Sequence, residues 1–76
     1  MLEKRSVTLS GHATSLALEP EFWAVLDKAA EADRRSLASL IRRIDEQRAR
    51  LDPAPPLSSA CRVWALRRVS DEAKTR

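Results

Sequence analysis

The chain is poor in the residues that staple small domains or carry chemistry. Its one cysteine, Cys61, excludes an internal disulfide, and with a single histidine, His12, it cannot complete a zinc site. Gly11 is the only glycine, so there is no glycine-rich phosphate loop, and neither a metal-ligand cluster nor a nucleophile motif interrupts the sequence. Catalysis, metals and cofactors are therefore not expected. Charges break every apolar stretch short of the roughly 18 residues that a membrane span needs. The opening residues lack the apolar core of a signal peptide, and a lone thiol suits a reducing compartment, so a cytoplasmic location away from membranes is expected.

At 76 residues the chain makes one domain at most. Such a domain buries only about 60% of its unfolded surface, and with disulfides and metals excluded, self-association is the remedy left. A net charge of +3 and a pI near 9.8 suit a polyanionic partner, although a small positive charge also serves solubility. The distribution is more telling than the sum. Residues 20–33 are acidic through Glu21, Asp27, Glu31 and Asp33, whereas residues 34–51 hold six arginines against Asp45 and Glu46. Residues 52–76 add a smaller basic excess, so positive potential belongs to the middle and the end of the chain.

Residues 5–18 alternate with period two, Val7 and Leu9 before Gly11 and Thr14, Leu16 and Leu18 after it, which predicts one or two short strands with a turn or bulge between them. Residues 5–9 either pair with 14–18 as a hairpin or form a basic arm; Val7 and Leu9 favour the hairpin because they give it something to bury. Glu19-Pro20-Glu21 starts a helix, with Phe22, Val25, Leu26, Ala29 and Ala30 at helical spacing and Trp23 beside them. The polar run Asp33-Arg34-Arg35 ends it. Ser36 is a good N-cap for a second helix over 37–50, whose stripe is Leu37, Leu40, Ile41 and Ile44. Residues 52–56 hold three prolines and form a stiff linker; a C-terminal helix over 57–70 and a disordered tail over 71–76 complete the chain. Three aromatics suit the core better than a binding patch, and Cys61 on an apolar helix face reads as an inert small hydrophobe.

A short strand ahead of two amphipathic helices leaves its backbone groups unpaired, and a two-fold mate solves this by antiparallel strand pairing over intertwined helices. From Ala13 to Leu51, strand TSLAL, helix start EPEFW, polar loop and SLASLI opening the second helix resemble the Arc/MetJ-type ribbon-helix-helix family in order and spacing. The family's loop usually carries Gly where this chain has arginines. More narrowly, KRSVTLSGH, TSLALEPEFW and LSSACRVWAL resemble a bacterial subgroup with an N-terminal extension, residues 1–12, and an extra C-terminal helix.

The resemblance implies an α+β, mostly helical, intertwined homodimer with Leu16, Leu18, Phe22, Leu26, Leu37, Leu40, Ile41 and Ile44 in the dimer core and the third helix packed outside it. It implies a small bacterial transcriptional regulator, a repressor of the DNA-binding type, reading double-stranded DNA through Ala13, Ser15 and Ala17, with Lys4, Arg5 and His12 as further candidates. The second helix's free N–H groups, Ser36 and Leu37 with Arg34 and Arg35 beside them, are the expected phosphate anchor. Ser36 can equally be a cap alone, Arg34 and Arg35 a solvated loop, and His12 a turn residue. The alternative is a protein-interaction module, antitoxin-like or an adaptor, that meets a protein partner through the C-terminal helix rather than DNA.

Overall fold

Two seven-residue antiparallel strands, β1 (Glu3–Leu9) and β2 (His12–Leu18), open the chain in a computed structural model that describes residues 1–75. Ser10 and Gly11 join them, both with positive φ (52° and 83°), the type I′ geometry whose twist matches the strands. The arm alternative is thus replaced by a hairpin within one chain, paired from Glu3↔Leu18 to Leu9↔His12.

Three helices follow: α1 (Pro20–Ala32), α2 (Leu37–Ala49) and α3 (Leu57–Lys74). Pro20 opens α1, where its missing N–H is not needed, and Ser36 caps α2 by accepting a 3.0 Å bond from the Ser39 N–H. At the end of α1, the Arg34 and Arg35 N–H groups bond back to the Glu31 and Ala30 carbonyls at 3.1 and 3.0 Å, a Schellman closure. Arg34 sits there with φ 54°, in the left-handed region where the resembled family carries Gly. α3 runs past the expected end at Ser70 to Lys74; Arg76, the last residue of the predicted tail, lies outside the described residues.

Val7, Leu16 and Leu18 form the floor of the hairpin and pack on Trp23, Leu26, Ala29 and Ala30 of α1, Leu40, Ile41 and Ile44 of α2, and Cys61 of α3. Each aliphatic side chain covered in this way contributes about 1.5–3 kcal/mol. The expected core residues Leu16, Leu18, Leu26, Leu40, Ile41 and Ile44 are all buried, but inside one chain. Phe22 and Leu37 are half-buried and pack against this core, since the buried stripe of α1 runs through Trp23 and Leu26 and Leu37 sits in the first turn of α2. One expectation needs correction: α3 does not ride on the outside, for Cys61 and Ala65 close the core, and their small side chains let the helix approach closely.

Ion pairs strap α3 to both ends of α1. Arg62 meets Glu19 at 2.9 Å, and the Arg68 guanidinium makes two 2.9 Å bonds to Asp33. No helix of the described residues is long and apolar enough to cross a membrane.

Candidate functional site

Strand alternation sorts the hairpin into two faces. Glu3, Arg5, Val7 and Leu9 with His12, Thr14, Leu16 and Leu18 share the helix side; Lys4, Ser6 and Thr8 with Ala13, Ser15 and Ala17 share the outward side. The outward pairs are Lys4↔Ala17, Ser6↔Ser15 and Thr8↔Ala13. Apart from one lysine they are all short, so the face is flat, hydroxyl-bearing and open to a close-fitting partner.

Arg5 is not part of that face. It lies over the Trp23 ring with its guanidinium carbon 4.4 Å from the centroid, bonds both carboxylate oxygens of Asp27 at 3.0 and 3.1 Å, and reaches Glu3 at 2.7 Å. The cause is parity: position 5 shares the side of Val7, so a long cation there must run along the helix and find a carboxylate. Asp27, then Glu3, hold its protonated form above the usual arginine value. Trp23 completes the clamp by donating its indole N–H to the Glu3 carbonyl at 2.7 Å. His12 shares Arg5's side by register, at the exposed tip of the hairpin.

The edges of the hairpin differ as well. A two-residue turn makes Leu9 and His12 a hydrogen-bonded pair, so alternation turns the N–H and C=O groups of Ala13, Ser15 and Ala17 away from β1. β2 contains neither a charged residue nor a proline, and this edge is an unprotected pairing surface.

At its tip the hairpin meets the start of α2. Thr8, Ser10 and Gly11 line a shallow polar recess with Ser36, Ser39 and Arg42. With the Ser36 hydroxyl engaged by Ser39, the Leu37 and Ala38 N–H groups lack intrahelical acceptors, and the positive end of the helix dipole points the same way. Arg34 and Arg35 sit in the loop just before this recess rather than in its wall, and neither has an ion-pair partner among the described residues. Arg42 is the wall residue that sequence reasoning missed. Its signal was spacing, since it follows Ser39 by three residues and so shares its helix face. Its ion pair with Glu46 is loose, at 3.7 Å without a hydrogen bond, which leaves the guanidinium largely available.

Burial pushes the Cys61 thiol up to about 11, so it stays neutral and unreactive. Among the described residues no group of three His, Cys, Asp or Glu side chains converges to hold a metal ion.

A family model described as a ribbon-helix-helix domain matches residues 2–69. Neither the curated proteins nor the solved structures contain a match.

Proposed function

The chain belongs to the ribbon-helix-helix domain family, and from that premise we propose that it is a dimeric DNA-binding regulator of transcription that lays its hairpin against the major groove. The observation that supports this most directly is the outward face of short side chains, Ser6, Thr8, Ala13, Ser15 and Ala17 with Lys4 at one corner, on a ribbon whose other face packs on the core through Val7, Leu16 and Leu18. Two copies pair along the free edges of β2, Ser15 opposite its own mate, into a four-stranded sheet. Strands spaced about 4.8 Å apart make that sheet roughly 14 Å between outer strand axes, against a groove about 12 Å wide. The two central β2 strands therefore enter, and the flanking β1 strands lie at the groove's lips, where Lys4 meets phosphate.

Ser15 supplies the hydrogen-bonding contact to base edges, and Ala13 and Ala17 touch at most thymine methyls, so sequence preference is modest. The backbone is held at the recess by the Leu37 N–H, Ser36 and Arg42, with Arg34 and Arg35 beside it. Fluorescence anisotropy of a labelled duplex, titrated at about 50 and 200 mM salt, tests the reading. Binding that falls steeply with salt and is lost in an Arg34→Ala/Arg35→Ala/Arg42→Ala variant of unchanged melting temperature supports it. A folded protein that leaves the duplex free at the lower salt overturns it.

A further inference from the structure

The face that α2 and α3 turn away from the hairpin carries a second surface. Between the C-terminal half of α2 and the N-terminal half of α3 lies an open recess of about 360 Å³ with a floor of Ile44, Leu51, Pro55, Ala60, Val63 and Trp64. Leu51 and Val63 are 58% and 47% exposed there, and the next outward residue of α3, Leu66, is 63% exposed. Large apolar side chains left open around one trough are an unmet burial demand. The trough is too open to enclose a small molecule, and it runs between two helices, the shape that receives a third helix.

Arg67 lines one wall, and beyond the lining residue Gln47 on the α2 side stand Arg43 and Arg50, one turn before and after it and outside the lining itself. None of these three cations has an ion-pair partner among the described residues. Arg48, by contrast, is engaged by Asp45 at 2.7 Å and by the Pro55 carbonyl at 3.1 Å, and so belongs to the wall.

We propose that this groove binds an amphipathic, acidic helix of a partner protein, with its apolar residues on Leu51, Val63 and Trp64 and its carboxylates against Arg43, Arg50 and Arg67. The apolar floor argues for a peptide over a nucleic acid strand, whose backbone offers no side chains to bury. The groove is centred on α2 near Gln47, eight residues past Ser39 of the other recess, about 12 Å by helix rise.

The test uses the full chain and a synthetic helical peptide with leucines at positions i, i+4 and i+7 and glutamates elsewhere, followed by backbone amide shifts. Shifts at Gln47, Leu51, Val63 and Arg67, with affinity reduced about tenfold or more in a Val63→Glu variant and again in Arg67→Glu, are expected. Both substitutions are on exposed positions and leave melting unchanged. Equal binding of a lysine-for-glutamate peptide overturns the proposal, as does the absence of shifts at these residues. Two further results overturn it by naming another occupant: self-association that Val63→Glu abolishes assigns the groove to a second copy, and shifts there only with phosphatidylglycerol vesicles assign it to a membrane. Because these readouts contain no DNA, failure of the DNA reading leaves them unaffected.

Discussion

β1 and β2 are the same length and directly paired, yet they solve opposite problems. β1 (EKRSVTL) has three charged residues at its start, one of them clamped to α1 through Trp23 and Asp27; β2 (HATSLAL) has none, and buries Leu16 and Leu18 where β1 buries only Val7. One outer edge is thus guarded by charge and the other left plain. Guarding an edge is how sheet proteins avoid unwanted pairing, and the unguarded edge of β2 is the one on which the proposed pairing of two copies rests. The same asymmetry divides the load: β2 anchors the fold through its inner face, and β1 fills out the sheet.

The largest expected effect tests that division. Leu18 is fully covered, and Leu18→Ala removes side-chain volume from beneath the sheet at a cost of about 2–5 kcal/mol. Leu16→Asp or Leu40→Asp places an unpaired charge in the core and abolishes the helical circular dichroism signal altogether. Val7→Ala, on β1, costs about 2 kcal/mol or less for the two methyl groups lost. Denaturant titration of the alanine variants gives the ranking, and equal losses at Val7 and Leu18 would break the contrast between the strands.

The edges come next. Ser15 and Ser6 are cross-strand neighbours on the outward face, so a glutamate at either leaves the core alone. At Ser15 it faces its own copy across the proposed two-fold, where like charges directly opposite disfavour pairing. Sedimentation of Ser15→Glu should show dimer dissociation raised by about tenfold or more, against little change for Ser6→Glu. If both variants sediment as the parent does, the open edge of β2 is not the joint between copies.

Much of this was legible in the sequence because periodicity reports which side chains face inward. Leu16 and Leu18 followed from alternation, and Leu26, Leu40, Ile41 and Ile44 from helical spacing. Trp23 and Phe22 are adjacent, so either could have led the stripe; Trp23 wins because its phase carries it beneath β1, where its N–H finds the Glu3 carbonyl. α3 was harder, since it buries Cys61 and Ala65 but exposes Val63, Leu66 and Val69, an arrangement in which apolar character does not mark the inner face. Arg5 illustrates a different limit: a basic residue on a strand reads as available, and only the register and Asp27 on another element show that it is engaged. The tight turn after α1 was visible only as a departure from the family's glycine, and Arg34 nonetheless adopts the left-handed conformation that a glycine would take.

The smallest effect concerns how each strand is tethered at its far end. β2 leads into Glu19, which Arg62 of α3 holds; β1 is held to α1 by the Arg5–Asp27 ion pair and also by the Trp23 N–H, a bond that does not titrate near neutrality. The hydrogen bond from Arg62 holds the Glu19 carboxyl below its ordinary value of 4.5, and Arg68 likewise holds Asp33 below 3.8. A carboxylate whose folded value is depressed contributes stability above its unfolded value and loses it as the pH falls through the folded one. Acidification from about pH 5 towards 3 should therefore loosen α3 while β1 keeps its bond to Trp23, an effect kept small by the exposure of both carboxylates. Amide hydrogen exchange across that range should show protection falling first in α3, and an Arg62→Gln variant should show the lower protection already at neutral pH. Loss of β1 protection in step with α3 would instead mean that the two strands share one tether, and the division of labour between them would not extend to their ends.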